Sequence, residues 1–137
     1  MELPISNWAV SAVCVSRFLP FLRFHFYGTD GDGRGLANSG YNLAVSGPMV
    51  VVTKGVERGI DPTAGEDLAH LDMVTKTVLR AFASQDGGLV VTFTDGDRLK
   101  VPPDRYEPWQ LEGDDGSLVV SVAGGGLAVW GPDTPRA

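Results

Sequence analysis

The sequence predicts a mostly β domain, an antiparallel sandwich or strongly bent sheet of two related halves joined through one short helix. Three observations predict it. Eighteen glycines and nine prolines among 137 residues put about a fifth of the chain in turn-forming residue types, which a helical bundle does not tolerate. Apolar and polar residues alternate with period two over several short runs. Asp-Gly pairs separate those runs, as hairpin turns do. An apolar fraction of 43% is enough for one core, and the length suits one domain.

The elements follow in chain order, about nine or ten strands in all. Residues 1–60 form an N-terminal β half. Val10 to Ser16 is apolar enough to pair with the next run, in which Leu22, Phe24 and Phe26 alternate with Arg23, His25 and Tyr27. Gly28 to Gly40, rich in glycine, reads as a long mobile loop. Tyr41 to Ser46 and Met49 to Thr53 flank Gly47-Pro48. The connector 61–74 holds the helix candidate, near 64–73. Thr63-Ala64-Gly65-Glu66 has the capping-box spacing, and Leu68 and Leu71 follow at three-residue spacing. The β-branched residues Val74, Thr75, Thr77 and Val78 favour extended chain after it.

Residues 75–131 form the C-terminal half. Thr77 to Ser84 pairs with Leu89 to Thr94 across Asp86-Gly87-Gly88. Leu89, Val91 and Phe93, then Asp95-Gly96, then Leu99 and Val101 spell a hairpin. Pro102-Pro103 ends its second strand. Glu107, Trp109 and Leu111 share one face of the next strand. Turns at Asp114-Asp115-Gly116 and Gly124-Gly125-Gly126 lead into Leu118 to Val122 and Leu127 to Trp130, a meander. Residues 132–137 are a tail. Leu22, Phe24 and Phe26 before Thr29-Asp30-Gly31 echo Leu89, Val91 and Phe93 before Thr94-Asp95-Gly96, with two residues inserted.

The chemistry-bearing residues are few. The single cysteine, Cys14, cannot form an intramolecular disulfide and reads as a small buried hydrophobe. Asp30-Gly31-Asp32-Gly33 fails as a calcium loop, since Arg34 holds a central ligand position and Tyr41 stands where the closing acid belongs. No nucleotide-binding loop is present. Of the two histidines, His70 follows Glu66 at helical spacing and supplies at most two zinc ligands with it. No motif marks a nucleophilic serine. No catalytic, cofactor-binding or metal-binding set is therefore expected, and a non-enzyme is the expectation. Glu2, Arg17 and Arg23 break the apolar N-terminal stretch, which disfavours a signal peptide or membrane span and makes a cytoplasmic protein the default.

Charge is more telling. The chain carries a net −6, which disfavours nucleic acid and anionic membrane as partners. Residues 86–115 alone carry −5, with eight acids against three bases. Asp104, Tyr106, Glu107, Trp109, Glu112, Asp114 and Asp115 interleave acids with aromatics there. That pattern reads either as a solvated acidic edge guarding the sheet or as a recognition face for a basic protein. Trp109 beside Leu111 reads first as core packing, and Trp130 first as a lid on the core.

The runs Asp86-Gly87-Gly88-Leu89-Val90-Val91-Thr92-Phe93-Thr94-Asp95-Gly96, Tyr106-Glu107-Pro108-Trp109-Gln110-Leu111 and Gly124-Gly125-Gly126-Leu127-Ala128-Val129-Trp130 resemble a family of small actinobacterial proteins, a domain-of-unknown-function family. The resemblance covers about residues 72–130; the N-terminal half fits it loosely through Gly47-Pro48, with 28–40 as an insertion. It implies no reaction, cofactor or catalytic residue. By analogy of size and acidity, its members look like immunity-type proteins of bacterial toxin systems. The expected function is a cytoplasmic, non-catalytic inhibitor that occludes a basic toxin through the 104–115 surface. A small-ligand-binding or catalytic β-barrel using His25, Arg23 and Tyr27 is the alternative, and a structural or self-assembling β module is the second.

Overall fold

A computed structural model describes residues 1–15, 22–29, 35–61, 73, 76–104 and 107–131. Among them are eleven strands: β1 (Ala9–Val15), β2 (Leu22–Thr29), β3 (Gly35–Val45), β4 (Met49–Thr53), β5 (Val56–Ile60), β6 (Val78–Ala83), β7 (Leu89–Phe93), β8 (Arg98–Val101), β9 (Trp109–Gly113), β10 (Leu118–Ser121) and β11 (Leu127–Trp130). They form two antiparallel sheets, in the orders β1-β2-β3-β9-β10-β11 and β5-β4-β8-β7-β6. Neither order returns to its first strand, so the barrel expected in the alternative reading is replaced by two open sheets. No helix occurs among the described residues; the expected helix near 64–73 lies outside them except for Met73, which is buried and in no regular element. No helix there is long and apolar enough to cross a membrane.

Alternation decides which side of each strand is buried. Leu89, Val91 and Phe93 of β7, Leu99 and Val101 of β8, and Trp109 and Leu111 of β9 all point into one core with Phe24, Leu43, Val45, Val51 and Ile60. Removing such side chains from water is the main driving force for the fold. Asp-Gly turns close the hairpins because glycine takes the left-handed conformation without a Cβ penalty, as at Gly96 and Gly116, both at φ 91°.

The two halves are related, but not as two sheets. The ladders β1·β2, β2·β3 and β4·β5 are repeated as β6·β7, β7·β8 and β9·β10. Each half crosses from one sheet to the other after its third strand, so β3 pairs with β9 and β8 with β4. One sheet therefore begins in the N-terminal half and ends in the C-terminal half, and the other does the reverse. The details repeat as well. Ladder irregularities fall between Val10 and Ala12 in one half and between Val78 and Arg80 in the other. At the junction the exchange is reciprocal: Val10 N–H donates to Lys76 O (2.9 Å) and Val78 N–H to Trp8 O (2.7 Å), around the Ala9–Thr77 bridge. β2 and β7, the strands whose sequences echo each other, occupy equivalent places. β11 has no counterpart among the described residues.

Two elements depart from the sequence reading. The stretch 28–40 is not one long loop: Thr29 pairs with Gly35 and Tyr27 with Gly40, so β2 and β3 run well into it. Only residues 30–34 of that stretch lie outside the described residues, and they include both aspartates of the rejected calcium loop. β5 was not foreseen. Its turn is Lys54-Gly55, with φ 52° and 79°, a two-residue hairpin turn in which lysine takes the place usually held by Asn or Asp.

Candidate functional site

One end of the molecule gathers the β6–β7 turn, the β8–β9 connection and the β10–β11 turn around an open cleft of about 740 Å³. Gln85, Asp86, Pro103, Asp104 and Gly124 to Gly126 line it. Asp86 organises its own turn. Its Oδ1 accepts the Gly88 N–H (2.9 Å) and the Ser84 hydroxyl (2.7 Å). Those bonds, the Ser84 hydroxyl first, hold the carboxyl below the usual aspartate range, because each favours the charged form.

The next residue anchors the turn to the core. Gly87 O accepts two buried donors, Trp109 Nε1 and Ser121 Oγ, each at 2.8 Å. Gly87 has φ 98°, and a Cβ there would stand 2.8 Å from Ser121 Oγ, so conformation and space both require glycine. The facing wall is backbone. Val122 N–H donates to Gly126 O (3.0 Å), and Gly124 N–H reaches Asp104 O at 3.4 Å. The connection carrying Asp104 is tied down by Ser46 Oγ on Glu107 O (2.8 Å) and Ser46 N–H on Pro108 O (2.9 Å). The result is a glycine-walled hollow lined by Asp86 and Asp104, with no Lys or Arg among its described lining residues. Chemically it suits a cation or a hydrogen-bond donor.

A second polar cluster lies at the opposite end of β7. Lys76 Nζ bridges Asp95 and Asp97, the latter at 2.9 Å, and Asp97 Oδ1 also accepts the Lys54 N–H at 3.1 Å. Asp95 Oδ1 accepts Asp97 N–H at 2.9 Å. Hydrogen bonds from Lys76 lead the causes that hold both carboxyls below their usual range. Burial pulls Lys76 down, but its bonds to Asp95 and Asp97 outweigh that and raise it. With every charge paired, this cluster clamps the β4–β5 and β7–β8 hairpins to the chain entering β6, and its geometry is that of a support.

The structure divides the sequence-predicted partner residues between the two ends. Asp104, half-buried, and Glu107, exposed, lie at the cleft end. Asp114 and Asp115 are exposed in the β9–β10 turn, across the length of β9, about 17 Å at the usual rise per residue. Asp115 accepts the Ser117 hydroxyl (2.6 Å) and N–H (2.9 Å) and is held below its usual range, the hydroxyl leading. Glu112 is exposed on β9, between Asn42 and Leu118 in the ladders. Trp109 is 1% exposed and belongs to the core, so its indole serves the cleft only through Gly87. Tyr106 lies outside the described residues.

The acids at 104–115 thus form no single face. The sequence reading missed Asp86 and the glycine wall; the Asp-Gly-Gly and Gly-Gly-Gly runs were the available signal, read as turns alone. For the alternative set, Arg23, His25 and Tyr27 stand opposite Ala44, Asn42 and Gly40, and their side chains lie outside the described residues. No group of three His, Cys, Asp or Glu suited to a metal occurs among the described residues.

No curated protein and no solved structure matches the chain. A family of unknown function, DUF6188, matches residues 1–131, so the N-terminal half is covered as fully as the C-terminal one. The chain belongs to that family.

Proposed function

We propose that this DUF6188 member is a non-catalytic binding module whose acidic cleft receives basic side chains of a protein partner. The observation that carries the reading is the pair Asp86 and Asp104 lining one hollow, with no Lys or Arg among its described lining residues. An acid-lined hollow attracts a guanidinium or ammonium, and it steers encounter with a basic surface. The finer form of the proposal is an immunity-type inhibitor, acting in the cytoplasm, that occludes a basic bacterial toxin domain. Size, net charge and the acidic cleft support it.

The test is calorimetric titration of the purified protein with the product of a neighbouring toxin-like gene, at low and at physiological salt. Binding that weakens with salt, and weakens again by about tenfold in an Asp86→Asn/Asp104→Asn variant, is the expected result. Absence of binding at low salt ends the toxin-inhibitor form. Binding indifferent to both salt and the variant ends the cleft as its site.

A further inference from the structure

We propose that the outer face of the five-stranded sheet is a docking surface for an acidic, amphipathic segment of a partner protein. Alternation defines that face. Val51, Val91, Phe93, Leu99 and Val101 fill the core from one side of the sheet, so the residues between them stand on the other. Ladder register sets these in two rows across the strands. One runs through Phe82, Val90, Lys100 and Val50, and the next through Arg80, Thr92, Arg98, Val52 and Glu57.

The first row presents apolar side chains to solvent. Phe82 is 39% exposed, and Val90, directly opposite it, is 37% exposed. The bulge in β6 adds a third. Between buried Val78 and Ala81 the ladder holds one extra residue, so Leu79 and Arg80 both turn outward, Leu79 at 57%. Apolar side chains scattered singly over a surface need no explanation, but neighbours on one face mark an interaction site.

Charge chooses the occupant. The chain carries a net −6, yet this face holds Arg80, Arg98 and Lys100 against Glu57 and, bridged to Phe82, Glu2. The acids stand at its two margins, where Glu2 pairs with Arg80 and Glu57 lies 3.8 Å from Lys100. Arg98 and Lys100 belong to β8, the central strand, and Arg98 is exposed. Arg80 lies over the Phe82 ring, 5.3 Å from its centroid, so cation and apolar surface are presented together. A segment with acidic side chains beside apolar ones answers both. Its apolar groups cover Leu79, Phe82 and Val90 while its carboxylates reach the cations of β8. A second copy stacked face to face fits poorly, since a two-fold axis through the centre of the sheet sets Arg98 and Lys100 of one β8 against those of the other. An anionic membrane fits poorly too, because the net charge of the chain opposes it.

The probe is a blocked Glu-Leu-Glu-Glu-Leu-Leu-Glu-Glu-Leu-Glu peptide, with a twin in which Gln replaces every Glu, titrated into the full chain and followed by amide chemical shifts. At low salt the Glu peptide is expected to bind about tenfold more tightly than its twin and to move the amides of Val90 and Arg98. Physiological salt is expected to weaken it, and Arg98→Glu to abolish the preference for Glu over Gln. Phe82→Ser is expected to weaken both peptides, whereas Asp86→Asn, in the cleft, leaves both unchanged. Equal binding of the twins, no saturation by millimolar peptide, undiminished preference in Arg98→Glu, shifts confined to other surfaces, self-association through this face, or capture by phosphatidylserine vesicles in preference to the peptide would each overturn the proposal.

Discussion

Trp109 and Ser121 stand in the C-terminal half where Met49 and Ile60 stand in the N-terminal half. Met49 faces Ile60 across β4·β5, and continuing the β9·β10 register brings Trp109 opposite Ser121. All four are buried, yet one pair only packs while the other also donates two hydrogen bonds to Gly87 O. The same ladder scheme thus supports an apolar plug in one half and a polar lock in the other. The lock bonds to a turn, and that turn carries Asp86 into the cleft. The ladder scheme is shared, and the buried donors tie the β6–β7 turn to the core in the C-terminal half.

The contrast is open to measurement, and the largest effect falls on Trp109. Trp109→Ala removes a large core side chain and a donor together, and is expected to lower stability by about 3–5 kcal/mol in chemical denaturation. Met49→Ala, a cavity alone, is expected to cost about 2–3 kcal/mol. A methionine variant as damaging as the tryptophan one would erase the distinction between plug and lock. Next comes Asp97→Asn, which breaks a nearly buried charge-assisted contact and is expected to cost about 2 kcal/mol at neutral pH.

The sign of the pH dependence follows from the depressed carboxyls. Asp95 and Asp97 contribute fully above the ordinary aspartate range, about 3.9. That contribution is lost as pH falls through their lower folded values. The gap between wild type and Asp97→Asn should therefore narrow steadily below about pH 4 in acid unfolding. A constant gap would remove the carboxylate from the clamp. Ser121→Ala leaves Gly87 O still bonded to Trp109, so a loss of only about 1 kcal/mol is expected. Smallest is Arg80→Ala: its pair with Glu2 is exposed on both sides and its stacking on Phe82 is peripheral. A thermal shift equivalent to less than about 0.5 kcal/mol is expected.

The strands were legible wherever alternation met a glycine turn. Leu89 to Val101 reads as a hairpin from sequence, and the ladder Val91–Leu99 bears it out. The kinship of β2 and β7 was visible in three apolar positions each. The exchange of strands between sheets was not, because β3·β9 and β4·β8 join residues far apart in sequence that no local pattern marks. β5 escaped notice because Val56, Glu57, Arg58 and Gly59 are exposed on both faces and show no alternation. The acidic segment was legible as composition only. Its division between two ends depends on β9 running through its middle; the core place of Trp109 was legible beside Leu111, but its bond to Gly87 O, twenty-two residues away, was not.

The crossing of each half between the sheets sets the order in which the protein can assemble. Hairpins such as β4·β5 and β7·β8 are local and close early, but the outer edges of β3 and β4 find their partners only in β9 and β8. During synthesis the N-terminal half therefore emerges with two strand edges unmatched, and both sheets are completed only by the C-terminal half. Such non-local pairing is slow and leaves an interval in which unmatched edges are exposed to other chains. The interleaving that ties the two halves into both sheets also leaves each half with unmatched edges until the other is made.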